Sequence, residues 1–372
     1  MLIAGEASGD AHGAEVVRAL ELMRPGIRFS AMGSRELRDA GVDIYLDSSS
    51  IAVVGIVEVL KHWGDIKHAM ETVKQRIVAD RPDLLVLIDY QEFNLKIARF
   101  AKAIGVKVLF YISPQVWAWR PKRIHKIGQA IDHMAVLFEF EAAYYDKAGI
   151  PATFVGHPLV DKVRVNRGRD SERARLGVES RLVGLFPGSR NSEIQRLLPV
   201  MLDTASLMRE RDPTLEFVMP LAATLDHAPI RQACFESGID IHLTDDNLYD
   251  VIVACDAIVS CSGTVTLEIA LLGVPLCIVY KMSWLSYQIM RRLITIEHIG
   301  LANIVAGKQV VKELLQNEAP PQAISNEIMR LLADNSYRQQ VVNGLSEVGA
   351  NLGEGHGAEN MAALVLELLD TA

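Results

Sequence analysis

Two carboxylates stand at the end of an apolar run that has the composition of a buried strand. The run 83–90 (DLLVLIDY) contains Asp89, and Glu92 follows three residues later. A carboxylate at the end of a buried strand, facing a cleft, is placed to act as a general base. The structural alternative is that Asp89 caps the next helix and that Glu92 lies in its first turn. A third candidate is His12 in the opening helix, although a lone helical histidine is more often structural.

Other catalytic patterns are missing from the sequence. It has no H-E-x-x-H motif, no Cys/His cluster, no Asp-x-Asp and no G-x-S-x-G elbow, so a metal-free reaction with one carboxylate base fits best. The four cysteines lie in apolar contexts without C-x-x-C spacing, which indicates buried thiols in a reducing compartment. The net charge of −8 argues against a nucleic-acid partner.

Two turns in the second half of the chain have residues that can hold phosphate. Gly188-Ser189-Arg190 follows the strand 182–187, and Ser262-Gly263-Thr264 follows the strand 257–261. Exposed backbone N–H groups at the start of a helix favour an anion, and an arginine can pair with phosphate. Glu268, about one helical turn further on, can bind ribose hydroxyls. The alternative for each turn is an ordinary capped helix, but two such turns in one domain favour an anion site.

The opening turn, residues 5–14 (GEASGDAHGA), is of a different kind. Its glycines, Gly5, Gly9 and Gly13, are four residues apart and match neither G-x-G-x-x-G nor a P-loop. The stretch 5–10 has no basic residue. It is therefore better suited to sugar hydroxyls than to a charged diphosphate.

Continuous apolar runs alternate with helical patterns along the chain, which predicts an α/β protein with two Rossmann-like parallel-sheet domains facing a cleft. In such sheets, ligands bind at the carboxyl ends of the strands. We expect an N-terminal domain over 1–160, a polar linker over 161–180, a second domain over 181–345 and a C-terminal helix over 346–372. The strands are predicted at 2–4, 83–90, 107–113, 133–138, 152–155, 182–187, 215–219, 239–243, 257–261 and 275–280.

Two stretches have the composition of a membrane anchor. Residues 51–60 (IAVVGIVEVL) are apolar on more than one face, and basic residues and Trp63 follow them. In 117–123 (WAWRPKR), two tryptophans stand beside three basic residues. Tryptophan next to lysine and arginine is typical of an interfacial anchor. The alternative for each stretch is a core element followed by a solvated turn.

The motifs GEASGD, VVGIVEVL, IDYQEFN, YISPQVWAWRPKRI, FVGHPLVD, FPGSRNSEI, SGTVTLE and LANIVAGKQVVKELLQ occur in this order over essentially the whole chain. In this set and order the sequence resembles the lipid-A-disaccharide synthase family. The resemblance implies an inverting, metal-independent GT-B glycosyltransferase without a cofactor. Such an enzyme joins UDP-2,3-diacylglucosamine to 2,3-diacylglucosamine 1-phosphate (lipid X). Its products are a β(1→6)-linked tetraacyl disaccharide phosphate and UDP, made at the cytoplasmic face of the inner membrane of Gram-negative bacteria.

The resemblance also implies roles for individual residues. Asp89 would deprotonate the acceptor 6-hydroxyl, with His12 nearby, and Arg190 would offset charge on the leaving UDP. Donor or acceptor contacts are implied for Ser8, Gly9, Asp10, Gly188, Ser189, Arg190, Ser262, Gly263, Thr264, Glu268 and Asn303. Membrane or acyl contacts are implied for Val53, Val54, Ile56, Val57, Val59, Leu60 and Trp63. The C-terminal helix would cross back to the first domain or to a second subunit of a homodimer.

One departure from the family pattern keeps the base open. The family's Asp-x-Pro-x-Phe-Asn reads Asp89-Tyr90-Gln91-Glu92-Phe93-Asn94 here, so that Glu92 is a second carboxylate beside Asp89. Two rival functions also remain. A UDP-sugar 2-epimerase shares the two-domain architecture but needs no apolar, tryptophan-rich surface. A non-catalytic sugar-nucleotide sensor would need no carboxylate base.

Overall fold

The computed structural model describes residues 1–50, 63–119, 121–283, 287–288 and 297–371. The chain forms two compact units, Met1–Pro158 with Glu354–Ala372, and Leu159–Gly353. Each unit is built on one parallel β-sheet, as the alternating apolar runs predict. No helix in the described ranges is both long enough and apolar enough to span a bilayer.

The first unit holds a seven-stranded sheet in the order β3-β2-β1-β4-β5-β6-β7. The second unit holds a six-stranded sheet in the order β10-β9-β8-β11-β12-β13. All recorded strand pairs are parallel. The strands are β1 (Leu2–Ala4), β2 (Ser30–Gly33), β3 (Asp43–Asp47), β4 (Leu85–Ile88), β5 (Val108–Tyr111), β6 (His133–Val136), β7 (Ala152–Phe154), β8 (Leu182–Phe186), β9 (Glu216–Pro220), β10 (His242–Thr244), β11 (Ala257–Cys261), β12 (Leu276–Tyr280) and β13 (Lys312–Leu315).

Helices connect the strands and cover the sheets. The α-helices are α1 (Ala7–Met23), α2 (Arg35–Asp39), α3 (Trp63–Asp80), α4 (Gln91–Ala103), α5 (Val116–Trp119), α6 (Ile124–Gly128), α7 (Glu139–Asp146), α8 (Leu159–Lys162), α9 (Arg169–Leu176), α10 (Asn191–Arg211), α11 (His227–Glu236), α12 (Leu248–Ala254), α13 (Val265–Leu271), α14 (Leu301–Ala306), α15 (Pro321–Ala333), α16 (Asn335–Asn351) and α17 (Gly357–Asp370).

Each sheet has a point where the strand order reverses. In the first unit the reversal lies between β1 and β4, and in the second unit it lies between β8 and β11. The crevice at the carboxyl ends of such a strand pair is where open α/β sheets bind ligands. The turn that begins at Gly5 and the turn at Asp89 therefore meet at the first reversal. The turns at Gly188 and Ser262 meet at the second.

The polar stretch 161–180 differs from the predicted linker. It contains helix α9 and belongs to the second unit. Its charges are ordered because Glu172, fully buried, pairs with Arg167 at 2.9 Å and with Arg175 at 2.7 Å. The composition of such a charged run predicts a solvent-exposed linker. Here a buried carboxylate with two arginine partners anchors the run to a folded unit instead.

The predicted C-terminal helix over 346–372 is two helices. Helix α16 belongs to the second unit, and the chain returns to the first unit from Glu354 onward. Helix α17 packs on α1 of the same chain through buried residues that include Met361, Leu364 and Val365. Arg24 pairs with Asp370 at 2.8 Å, and the Lys107 ammonium donates to the Leu368 carbonyl at 2.8 Å.

The sequence patterns did not predict three of the observed strands, which are β2, β3 and β13. β2 and β13 are four residues long, and none of the five residues of β3 is fully buried. β3 and β13 lie at sheet edges, where a strand needs no continuous apolar run. Their polar composition therefore hides them from a search for buried strands.

Candidate active site

Asp89 lies at the end of β4 in an unusual backbone conformation. Asp89 and Tyr90 both have positive φ, at 47° and 43°, which non-glycine residues rarely adopt. The buried Asn94 amide holds this turn by donating to the carbonyls of Ile88 at 3.2 Å and Asp89 at 2.8 Å. Strained backbone of this kind is maintained where the surrounding structure requires it, and such positions cluster at active sites.

The environment of Asp89 suits a proton acceptor. Burial raises the pKa of the Asp89 carboxyl, while the Tyr90 backbone N–H and the charge of His12 act in the opposite direction. A carboxylate with a raised pKa is a stronger base than an ordinary exposed aspartate. His12 stands beside it on α1. The centres of the His12 and Tyr111 rings are 6.4 Å apart in an edge-to-face arrangement, and His12 Nδ1 lies 3.6 Å from the Glu15 carboxylate.

Glu92 has different surroundings from Asp89. Its side chain is 72% exposed and makes an ion pair with Arg123 at 2.6 Å. An exposed carboxylate that already holds a cation is a poor candidate for abstracting a proton, because the pair must be broken first. The geometry therefore favours Asp89 over Glu92 as the base.

Glu6 is a second carboxylate at this place that sequence reasoning missed. It follows β1, the strand next to β4, and its pKa is raised first by burial and then by the charge of Asp89. The negative charge of an ionised Asp89 thus disfavours ionisation of Glu6. The sequence signal that could have identified Glu6 is its position directly after a strand, because neighbouring parallel strands such as β1 and β4 end at the same edge of the sheet.

The glycines of the opening turn allow close packing. A Cβ on Gly5 would lie 2.2 Å from the Tyr90 ring, and one on Gly13 would lie 2.9 Å from the Ile88 side chain. A Cβ on Gly9 would touch the same isoleucine at 3.4 Å. The spacing of four residues thus lets the start of α1 lie against β4 and the Asp89 turn. Ser8, in the first turn of α1, is exposed and remains a candidate for contact with sugar hydroxyls.

Asp10, for which the resemblance implies a substrate contact, has a structural role in this unit. Its buried carboxylate accepts hydrogen bonds from the Ser34 backbone N–H at 2.6 Å, the Ser34 hydroxyl at 2.9 Å and the Glu36 N–H at 2.8 Å. These contacts cap the start of α2, which has no cap from its own N-cap side chain. The substrate contact of Asp10 stays a prediction, and its carboxylate is held by these three hydrogen bonds.

In the second unit, the turn at Gly188 already holds an anionic group. The N–H groups of Ser189 and Arg190 donate to Glu193 Oε2 at 3.0 and 3.2 Å, and the Arg190 guanidinium pairs with Oε1 at 3.0 Å. Gly188 has a φ of 114°, and a Cβ there would lie 2.3 Å from the same carboxylate. Arg190 is 81% exposed. The turn thus presents two N–H groups and a guanidinium to a carboxylate, which is the donor set that binds phosphate.

The turn at Ser262–Thr264 lies at the neighbouring strand end. The pKa of the Cys261 thiol is raised to about 12, mainly by burial. The charge of Glu193 also raises this pKa and the charge of Arg190 lowers it, so both residues of the Gly188 turn region lie near Cys261. The two turns are therefore close in space. Thr264 is exposed, and the Ser262 hydroxyl donates to the Ile299 carbonyl at 3.4 Å.

Glu268 is held in place by Tyr249, a residue that sequence reasoning did not single out. The Tyr249 hydroxyl donates to Glu268 Oε1 at 3.2 Å, and burial raises the pKa of Glu268. The second oxygen of the carboxylate leaves an acceptor for a ligand hydroxyl. A carboxylate oriented in this way can accept hydrogen bonds from ribose.

Asn303 is held in a network of hydrogen bonds within the second unit. It is fully buried; its amide donates to the Val311 carbonyl and to Glu313, and its oxygen accepts from the N–H groups of Val310 and Val311. The nucleotide contact of Asn303 that the resemblance implies stays a prediction. Asn303 acts at a distance, because Glu313 in turn accepts from the Ile299 and Gly300 N–H groups beside Ser262.

The predicted membrane residues Val53, Val54, Ile56, Val57, Val59 and Leu60 lie outside the described residues. Trp63 is described, and it is 57% exposed with the Lys96 ammonium 5.7 Å from its ring centre. In the second tryptophan stretch, the Trp117 indole N–H donates to the buried Glu141 carboxyl at 2.9 Å. Trp117 is thus tied to its own unit, as the core alternative predicts.

Comparison with known proteins identifies the relatives of this chain. A family model described as lipid-A-disaccharide synthetase matches residues 1–365. A lipid-A-disaccharide synthase from Geobacter sulfurreducens is 51% identical over 99% of this chain and 97% of its own length. Among solved structures, a putative UDP-N-acetylglucosamine 2-epimerase from Listeria monocytogenes aligns with a TM-score of 0.67 at 14% identity, over 100% of this chain and 96% of its own. The glycotransferase of kitacinnamycin aligns with a TM-score of 0.65 at 14% identity, over 99% of this chain and 98% of its own. These structures share the GT-B fold predicted from the sequence.

Proposed function

Because this chain belongs to the lipid-A-disaccharide synthase family, we propose that it transfers 2,3-diacylglucosamine from its UDP donor to lipid X. The products are the β(1→6)-linked tetraacyl disaccharide phosphate and UDP. The observation that carries the proposal is the partly buried Asp89 carboxyl, with its raised pKa, at the strand reversal of the first sheet. Transfer to a hydroxyl needs a base of this kind, whereas a non-catalytic sensor does not.

In this mechanism Asp89 takes the proton of the acceptor 6-hydroxyl while its oxygen attacks the anomeric carbon of the donor. The bond between that carbon and the UDP oxygen breaks, and UDP leaves with the electron pair on the opposite face of the sugar, which inverts the configuration. Strain in the Asp89 turn, held by Asn94, keeps the carboxylate oriented before the substrate arrives. The negative charge of Asp89 raises the pKa of the nearby Glu6, so the two carboxyl groups do not readily ionise together.

The second unit would hold the UDP group. We infer that the donor diphosphate replaces the Glu193 carboxylate on the N–H groups of Ser189 and Arg190, since both are anionic acceptors for the same donors. Arg190 would then offset the negative charge that develops on the leaving phosphate. Glu268 and the turn at Ser262–Thr264 would bind the ribose and the remaining phosphate oxygens.

The substrates carry acyl chains, so we also propose that the enzyme works at the inner membrane surface from the cytoplasmic side. Support comes from the apolar composition of residues 51–60 and from the exposed Trp63. A tryptophan side chain is suited to the interface between acyl chains and headgroups.

The test is a reaction of purified protein with both lipids in detergent, with a chelator and without added metal. Product mass and UDP release are followed together. We expect disaccharide and UDP in equal amounts, and only when both lipids are present. UDP release without lipid X would instead indicate a hydrolysing epimerase or a different acceptor. Saturable UDP binding without turnover would support the sensor.

A further inference from the structure

A cavity of about 480 Å³ lies beside Asp89 in the first unit. Apolar side chains of Trp63, Ile66, Met70 and Phe93 line it, together with Glu6 and Asp89 at the strand ends. This volume is in the range of pockets that bind small molecules. The wall is thus apolar, and the candidate base opens directly into it.

Two lysines, Lys67 on α3 and Lys96 on α4, complete the wall. Among the described residues, the lysine ion pairs with carboxylates are made by Lys74, Lys102 and Lys308, so neither wall lysine has a carboxylate partner there. Lys96 instead lies over the Trp63 ring at 5.7 Å. The nearby Glu92 is paired with Arg123. Two ammonium groups are therefore available to an anion at the edge of an apolar cavity.

Asp89 and Lys96 are attached to the backbone at positions that lie apart along the axis of α4. Asp89 directly precedes the short turn into α4, and Lys96 lies five residues beyond the first residue of that helix. At 1.5 Å per residue this is about 8 Å along the helix axis. A ligand that fits has a hydroxyl at one end for Asp89, an apolar portion for the wall, and an anionic group at the other end.

We propose that this cavity is the acceptor site, in which Lys67 and Lys96 bind the 1-phosphate of lipid X while Trp63, Ile66 and Met70 contact an acyl chain. The inference rests on the proposed function and deepens it, because it makes the phosphate the feature by which the enzyme recognises its acceptor.

The experiment compares Lys67→Ala, Lys96→Ala and the double variant with wild type in neutral detergent micelles that contain no anionic phospholipid. Lys74→Ala is the matched control, since Lys74 lies on the same helix as Lys67 and pairs with Glu71 outside the cavity. Each wall substitution is expected to raise the acceptor KM about tenfold, the loss of one charge-assisted contact to phosphate. The donor KM should stay within about twofold, and the control should match wild type.

A second substrate gives a readout that misfolding does not imitate. With 2,3-diacylglucosamine that lacks the 1-phosphate, wild type and the double variant should react at equal, low efficiency. Equal turnover of this substrate by the double variant and by wild type reports that the first unit, which holds Asp89 and both lysines, is folded in the variant.

The outcomes separate the two proposals. No disaccharide from wild type would overturn the proposed function itself. Disaccharide from wild type with an unchanged acceptor KM in the double variant would overturn only the acceptor site. An effect of the lysines that appears solely on vesicles with anionic phospholipid would assign them to the membrane surface and would also overturn it.

Discussion

Asp89 and Glu92 are three residues apart, yet their surroundings assign them different chemistry. Burial raises the pKa of Asp89, whereas Glu92 is exposed and holds Arg123. A general base must be able to accept a proton without first giving up a cation. Asp89 stands at the end of β4 in a turn with positive φ, whereas Glu92 lies in the first turn of α4.

Substitution of the base is the first test at this scale. Asp89→Asn keeps the size and the hydrogen-bonding shape but removes the proton acceptor, so kcat should fall by at least about 100-fold. UDP binding, measured by calorimetry, should be unchanged. Glu92→Gln is the matched control and should retain kcat within about threefold. A collapse of turnover in Glu92→Gln, with Asp89→Asn active, would transfer the base role to Glu92.

The pH dependence of turnover reports the same carboxyl. Activity requires the deprotonated form of Asp89, so kcat/KM falls as the pH drops through its pKa. Because burial raises that pKa, the acid limb of the profile is expected at higher pH than for an ordinary aspartate, whose pKa is 3.8. The measurement is log kcat/KM against pH for wild type and His12→Gln. Loss of the His12 positive charge, which lowers the pKa of Asp89, should move the limb further upward; movement downward would contradict the arrangement.

At the scale of elements, the contact between α1 and β4 shapes the site. Gly5→Ala would place a methyl group 2.2 Å from the Tyr90 ring and so force the Asp89 turn to move. We expect a loss of about 1–3 kcal/mol in the free energy of unfolding, together with a lower kcat. Gly64→Ala is the control, because no described residue lies within 4 Å of its Cβ position. Urea denaturation and steady-state rates measure both effects; an unchanged kcat in Gly5→Ala would separate this contact from catalysis.

The connection between α1 and α2 depends on Asp10. Asp10→Ala removes the acceptor of three hydrogen bonds and leaves N–H groups unsatisfied, so the free energy of unfolding should fall by about 2 kcal/mol or more. The KM values of the folded enzyme for donor and acceptor should remain as in wild type. An intact unfolding free energy with a tenfold higher KM would restore Asp10 to the substrate site.

At the scale of the whole molecule, the return of the chain through α17 completes the first unit. Met361 is fully buried where α17 joins that unit, and Met361→Ala should lower the free energy of unfolding by about 2–5 kcal/mol. Arg24→Ala removes only an exposed ion pair with Asp370 and should leave thermal unfolding nearly unchanged. Thermal unfolding by calorimetry measures both. If the two variants melt alike, α17 contributes little to the stability of the first unit.

The sequence by itself determined the fold class and the sheet edges at which the candidate site residues lie. Continuous apolar runs separated by helical patterns specify parallel sheets, and the residues that follow those runs must lie at the carboxyl edge. Asp89, Gly188, Ser189, Arg190 and Ser262 were found in this way. Such local patterns are readable because they depend only on neighbours along the chain.

Only the tertiary structure decided what the polar residues near that edge do. Asp10 and Asn303 have the residue types of ligand contacts, but the partners of Asp10 lie 24 and 26 residues away, and Asn303 is satisfied by residues 7 to 10 positions later. The same holds for Glu6, whose pKa is raised by burial and by the charge of Asp89 at the end of the neighbouring strand. Whether a polar side chain is free for a ligand depends on burial and on hydrogen bonds to distant residues, and the fold alone brings these together.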